Sequence, residues 1–400
     1  MSTSNDIEEK LTISIVVPTL NCKYDLQKLI KSLELQTIAP MEVLIADSSI
    51  NTEIEDVISS YNGPLNLIFL RNSKKFPGEK RNFGAKVAKG ELISFLDVGT
   101  LPKPEWLEAA LAQIYDGYDV VFGSTQYKCL NSAQELIRAA TFGNRLHETS
   151  PGSLLKRLDF ELSGGFIENT RAGDDLEWRQ ALRDFGLRCF TPTKVFLEYS
   201  NLPSKLFDMQ KRYFLYYIHS GKFKAQRNTR DLYLGALLIL SALVIPRWNY
   251  LIGGWSENSL YIPNITKIYI ISFLVLTASY LLANRFLIKR KSTNLLQFIL
   301  KLFAFVLIAL TIFYWNANIA KWVEDTALYI PHITKIYIAL IISSSVMYRG
   351  IYLPIKSEIP SSYLFPTRWL MVGLAGFSLD LMKVPGTLLG ICLAPFQKNK

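Results

Sequence analysis

The sequence predicts an α/β domain with a mainly parallel sheet, followed by an all-α transmembrane domain of four or five helices. Three observations predict it. Strand-length apolar runs alternate with helix-length amphipathic stretches up to about residue 200. From Leu232 onward, long apolar runs are separated only by short polar breaks. One string also occurs twice in that second half, Leu260-Tyr-Ile-Pro-Asn-Ile-Thr-Lys-Ile-Tyr-Ile270 and Leu328-Tyr-Ile-Pro-His-Ile-Thr-Lys-Ile-Tyr-Ile338. The expected division is 1–228 for the first domain, with a core at about 12–200 and an interfacial helix at about 204–220, and 229–400 for the second.

In the first domain, Ile13 to Pro18 reads as a buried strand ended by proline. A helix pattern over Leu26 to Leu35 follows, then a strand at Glu42 to Asp47 and a helix at Thr52 to Tyr61. Leu65 to Leu70, Glu79 to Ala88 and Glu91 to Asp97 continue the strand–helix–strand rhythm. Such alternation builds a mainly parallel sheet covered on both faces. Ligands of these sheets sit outside the carboxyl ends of the strands. Asp47 and Asp97 each end a strand, so both face that crevice; a cap or turn role is the alternative for Asp47, which precedes Ser48 and Ser49.

Net charge is +10, and much of the excess flanks the apolar runs (Lys222, Lys224, Arg227, Arg230, and Arg285 with Lys289 to Lys291). Bases in those places fit a membrane surface, and no nucleic-acid-binding spacing accompanies them. Cys22, Cys129, Cys189 and Cys392 are scattered, as are His147, His219 and His332. They read as packing or surface residues, not metal ligands or disulfides, with His147 in a surface loop. Met1 to Lys10 is polar and partly acidic, unlike a signal peptide.

Asp174 and Asp175 follow a glycine-rich turn that starts at Gly164 and Gly165, and they open a helix over Leu176 to Phe185. Asp174 reads mainly as that helix's N-cap. Asp175 is placed to take a proton from an incoming hydroxyl. Gly164 and Gly165 would let the backbone approach a sugar, with a plain turn as the alternative. Trp178, at helical spacing, reads as core.

The chain resembles glycosyltransferase family 2, enzymes of the GT-A fold. The residues that carry the resemblance are Ser14-Ile-Val-Val-Pro-Thr-Leu-Asn21, Ile45-Ala-Asp-Ser-Ser49, Arg81-Asn-Phe-Gly-Ala85, Gly90-Glu-Leu-Ile-Ser-Phe-Leu-Asp97, Pro104-Glu-Trp106, Gly164-Gly-Phe166 and Gly173-Asp-Asp175. Each alone is a weak motif; the ordered set over roughly residues 12 to 200 is strong. The resemblance implies a Rossmann-like sheet and a nucleotide pocket lined by Pro18, Thr19 and Asn21, with Asp47 near the base or ribose. Lys80 and Arg81 would lie near the diphosphate. Asp97 would be the first acid of the family's Asp-x-Asp metal motif, and Asp175 the catalytic base in the family's Glu-Asp pair, here the catalytic pair Asp174-Asp175. Here the second acid is Gly99. The expectation is a retained but weaker magnesium or manganese site at Asp97; another acid, or Lys80 and Arg81 in place of the ion, are the alternatives.

In the second half, Ile268 to Leu287 and Leu295 to Trp315 have the length of membrane spans. Leu232 to Ile245 and Ile336 to Tyr348 are shorter, and Trp369 to Phe396 is interrupted by Asp380, Lys383 and Pro385. That last segment is expected to lie along the interface or to break into two half-helices. The duplicated string pairs a helix–loop–helix unit over about 232–288 with a second over about 295–355. The clustered bases mark the first domain's side as cytoplasmic, in the plasma membrane. The function expected is transfer of a sugar from a nucleotide diphosphate donor to a lipid or lipid-linked acceptor, non-processive because the Gln-x-x-Arg-Trp of processive synthases is missing after the base. Two other readings stay open: a polyisoprenyl-phosphate glycosyltransferase, and a non-catalytic membrane assembly or translocation partner.

Overall fold

The structure, a computed structural model, describes residues 11–221 and 342–393. Contacts divide the chain into two compact units, Met1–Asn228 with Met347–Lys400, and Thr229–Val346. The C-terminal segment, expected in the second domain, groups with the N-terminal one. The segments 232–245, 268–287 and 295–315, with 336–341 of the fourth, lie outside the described residues, as does the repeated string.

Four strands form the parallel part of the sheet: β1 (Ile13–Thr19), β2 (Glu42–Asp47), β3 (Leu67–Arg71) and β4 (Leu92–Phe95), in the order β3-β2-β1-β4. Helices α1 (Lys23–Glu34), α2 (Glu53–Ser59) and α3 (Pro77–Val87) connect them. Every residue of β1 is buried, and its side chains alternate between two cores. Ile13, Ile15 and Val17 meet the Leu26, Leu29 and Leu33 stripe of α1, whereas Val16 meets Ala85 of α3 and Phe95 of β4. A sheet whose strands are apolar on both sides must be covered on both sides, which is what the run Ile-Ser-Ile-Val-Val dictates.

Beyond β4 the sheet turns mixed. The next elements are β5 (Thr100–Pro102), α4 (Trp106–Tyr115), β6 (Val120–Tyr127), α5 (Ser132–Ala140), β7 (His147–Lys156), α6 (Arg157–Leu162), α7 (Asp174–Asp184), β8 (Cys189–Phe190), β9 (Leu197–Tyr199) and α8 (Leu206–Ser220). The full order is β3-β2-β1-β4-β7-β6-β9-β5, with β8 beside β6. β7 runs antiparallel to both neighbours, and β5 antiparallel to β9. The expectation of a mainly parallel sheet thus holds for the first half and is corrected for the second. The Rossmann-like half is followed by a mixed extension.

The last described helix, α9 (Arg368–Leu393), is continuous over 26 residues. Asp380 and Lys383 do not interrupt it, because they are neutralised together: Lys383 lies 2.8 Å from Asp380, which also pairs with Arg349. Nor does Pro385 end it. The expected break into half-helices is corrected accordingly. Glycines let it approach α8 closely. A Cβ at Gly386 would lie 2.6 Å from the carbonyl oxygen of Phe214, and one at Gly390 would lie 2.3 Å from that of Ile218. Among the described residues, α9 is the helix long and apolar enough to cross a membrane, with mean hydropathy 1.3 and 44% of that window buried.

Candidate active site

A cleft of about 1000 Å³ opens at the carboxyl ends of the parallel strands, walled on its far side by α8. The first turn of α3 is its organising element. Pro77 stands at the first helical position, and Glu79 accepts the backbone amides of Lys75 (3.0 Å) and Phe76 (3.3 Å), closing the helix start. Gly84 lets the helix sit against β1, since a Cβ there would lie 2.4 Å from Val16 Cγ1. That close seat carries Lys80 and Arg81 inward, although both are charged; they are 3% and 4% exposed. A buried cation must be paired, and each is. Lys80 Nζ donates to the carbonyl of Thr19 (2.7 Å). Arg81 donates to Asp97 Oδ1 (2.6 Å) through one terminal nitrogen and to Asp174 Oδ2 (2.8 Å) through the other.

One guanidinium therefore joins two acids that are 77 positions apart in sequence. Arg81 also lies over the Phe166 ring at 5.0 Å, and Phe166 stacks on Trp178 beneath it (4.4 Å between centroids). Burial works against the charge on Arg81, but Asp97 and Asp174 more than offset it and raise its pKa. Burial lifts the Asp174 carboxyl to about 6, with Arg81 opposing that rise and Asp175 and Asp97 adding to it. Lys80 is held below its ordinary range by burial, with Asp47 counteracting.

Asp175 begins the same helix but faces the open cleft, its side chain 37% exposed. Arg179, one turn on, approaches it at 3.7 Å and donates to Glu148 of β7 at 2.7 Å. Glu148 also accepts from Arg183 and Thr191. Burial alone would raise the Glu148 pKa, and these hydrogen bonds bring it below the ordinary value. The result is a charged, fixed anchor for the arginine beside Asp175.

Of the residues expected at the site, Pro18, Thr19, Lys80, Arg81, Asp97, Asp174 and Asp175 line this cleft. The others fall elsewhere. Asp47 is fully buried and consumed by its own partners: Thr19 (2.9 Å), Ser49 (2.7 Å) and Arg71 (3.2 Å). It ties the ends of β1 and β2 together and presents no oxygen to a ligand. Asn21 adopts φ 51°, with its amide donated to Ser49, and does not border the cleft. Gly164 and Gly165 take φ 85° and 68° in a turn held by Asn82, whose amide group bonds both the N–H and the C=O of Phe166 (2.9 and 2.8 Å). They shape the loop and do not touch the cleft. Asp174 is not the helix cap: Gly173, at φ 87°, holds that position, and the Asp174 side chain turns inward to Arg81.

Sequence reasoning missed several cleft residues. His147 stands at the start of β7 and borders the cleft, not a surface loop. It lies edge-on to Tyr127, which stacks on Phe142 (3.8 Å between centroids). Tyr199, on the short strand β9, carries no motif and joins this aromatic wall only through the fold. Tyr213 and Tyr216 of α8, the expected interfacial helix whose bases and tyrosines would meet lipid headgroups or an acceptor phosphate, also line the cleft.

Asp97 is poorly placed to hold a divalent ion. Its Oδ1 is already held by Arg81. At Gly99, where the second acid of the motif would stand, a Cβ would lie 2.9 Å from Tyr199 Cε2 and 3.0 Å from Asn201 Nδ2. Among the described residues no cluster of three or more His, Cys, Asp or Glu side chains surrounds a common point. These side chains alone do not fit the magnesium or manganese ion expected at Asp97.

Residues 14–167 match the model of Glycosyl transferase family 2. Validoxylamine A glucosyltransferase of Streptomyces hygroscopicus subsp. limoneus is 33% identical over 25% of this chain and 23% of its own. GalNAc(5)-diNAcBac-PP-undecaprenol beta-1,3-glucosyltransferase of Campylobacter jejuni is 26% identical over 42% of this chain and 57% of its own. The chain thus spans less than two thirds of the length of these curated relatives. Among solved structures, S. aureus TarS 1–349 in complex with UDP-GlcNAc aligns over 67% of this chain and 81% of its own, at 18% identity and a TM-score of 0.39. Family model and relatives agree on a glycosyltransferase domain in this part of the chain.

Proposed function

We propose that the protein is a membrane-bound, non-processive glycosyltransferase that moves a sugar from a nucleotide diphosphate donor to a lipid or lipid-linked saccharide at the cytoplasmic face. One observation carries the reading: Asp97 and Asp174 share Arg81 within a cleft that Asp175 also lines. A glycosyl transfer needs positive charge beside a departing diphosphate and a base beside an attacking alcohol, and these groups supply both. As the acceptor oxygen bonds to the anomeric carbon, the bond from that carbon to the phosphate oxygen breaks, and its electron pair leaves with the diphosphate. The acceptor proton passes to Asp175, which Arg179 and Glu148 hold in place. A single displacement assisted by one base inverts the anomeric centre.

Membrane placement is supported by the apolar runs after residue 232 and by the exposed apolar face of α9, with Leu370, Leu374, Leu388 and Leu389 outward. The undecaprenol-linked acceptor in the name of the Campylobacter relative favours a lipid-linked saccharide. The test is a panel of nucleotide sugars offered to the purified full chain with polyprenyl-phosphate and polyprenyl-diphosphate-linked saccharides. Transfer of label to a diphosphate-linked saccharide is the expected result. Transfer only to the bare lipid phosphate would replace this reading with a polyisoprenyl-phosphate glycosyltransferase.

A further inference from the structure

We infer that this site neutralises the departing diphosphate with fixed side-chain cations, Arg81 and Lys80, in place of a divalent ion. The inference rests on the nucleotide-sugar reading above and concerns how its leaving group is stabilised. Four observations converge on it.

The first is that the missing acid has been built over. Asn201, which fills the space beside Gly99, donates to Asp25 at 3.0 Å, and its backbone carbonyl accepts from Arg212 of α8 at 3.3 Å. Restoring an acid at 99 requires this wall to move. The second is that a cation already occupies the acid that remains, with Arg81 2.6 Å from Asp97. The third is that Arg81 is not satisfied by its two acids, since its Nε is buried without a hydrogen-bond partner. An arginine enclosed this way keeps donor capacity that its two acids do not use. The fourth is that the surroundings are cationic on the same side: Lys80 is fixed by Thr19, and Lys75 and Arg171 border the cleft beside them.

The chemistry balances without a metal. The carbon–oxygen bond to the donor breaks with its electrons moving to the diphosphate, and that added negative charge develops next to a guanidinium and an ammonium. Both are in place before the reaction and shielded from bulk water, so little reorganisation accompanies the charge shift. Asp97 then serves to hold Arg81 in position against its burial, as Asp174 does from the other side. Asp97 is a positioning residue on this account, and the motif's first acid persists here for a purpose other than ion binding.

The test is nucleotide binding by the full chain in detergent, measured by calorimetry with UDP, GDP, CDP and ADP in EDTA and again with manganese. The expected result is that one of these binds in EDTA, with its Kd changed less than about twofold by manganese. Arg81→Lys should then weaken that Kd about tenfold or more, without rescue by manganese, because a charged hydrogen bond is lost. Since Arg81→Lys disturbs two buried ion pairs, a second variant keeps the test informative if that one fails to fold. Gly99→Asp with Asn201→Ala opens the wall and supplies the second acid. It should acquire manganese-dependent tightening of about tenfold that the wild type lacks. A wild type that binds nucleotide only with manganese, or about tenfold more tightly with it, overturns the inference and leaves the nucleotide-sugar reading standing. A folded wild type that binds none of the four in either buffer overturns both.

Discussion

At the scale of single residues, Asp174 shows how a local reading goes astray. An aspartate just before a helix is ordinarily a cap, and nothing nearby in the chain argues otherwise. Its partner Arg81 is 93 positions away, a separation that propensity cannot see. The consequence is a measurable pH dependence. Its folded pKa of about 6 stands above the ordinary 3.8, so the folded chain holds this proton more tightly than the unfolded chain does. The stabilisation is therefore fully present below about pH 4 and is lost as pH rises through about 6. Asp174→Asn removes that slope, and its Tm relative to wild type should climb between those pH values. Parallel Tm curves for the two proteins would contradict the assignment. Asp47 carries a similar lesson, because its strand-end position could not reveal that Thr19, Ser49 and Arg71 use up its oxygens.

At the scale of elements, α3 binds the two halves of the site into one. Arg81 reaches Asp97, just past β4, and Asp174 of α7, Asn82 pins the turn at Phe166, and Glu79 accepts the amide of Asn169 (3.1 Å). Asn82→Ala leaves both backbone groups of Phe166 without this partner. It should cost about 1–3 kcal/mol in denaturant unfolding and loosen the loop that leads to Asp175. The parallel strands were readable because each is a continuous apolar run between turn residues. β7 was not, since Ser150-Pro151-Gly152-Ser153 breaks its pattern; the irregularity in its pairing with β6 falls beside Gly123, where a Cβ would lie 1.8 Å from the carbonyl of Pro151. The α8–α9 contact makes its own prediction. Gly390→Leu forces a side chain into the backbone of Ile218 and should destabilise the N-terminal unit by about 1–3 kcal/mol. Leu389→Ala, on the exposed face of α9, should change unfolding by less than about 0.5 kcal/mol. Equal effects of the two would show that α9 does not pack as described.

At the scale of the whole molecule, the catalytic half was legible because its motifs occur in a fixed order and each marks a strand end or a helix start. The C-terminal segment was less so. Hydropathy alone assigned Trp369 to Phe396 to the membrane half, yet a glycine-lined face and a neutralised charge cluster seat it on α8. A helix with one face on a soluble domain and the other apolar and exposed fits the edge of a bilayer. If the runs after residue 232 also cross it, the full chain should stay in the membrane pellet after alkaline carbonate washing. Release into the supernatant would limit the association to a surface contact.

On the proposed reading, Asp97, Arg81, Asp174 and Asp175 form one transfer site with Asp175 as its base. It is tested most directly by the turnover of Asp175→Asn in the full chain, measured beside wild type at saturating donor. Its kcat should fall about 100-fold or more, with nucleotide Kd and Tm close to wild type. A folded variant that turns over near the wild-type rate would contradict it.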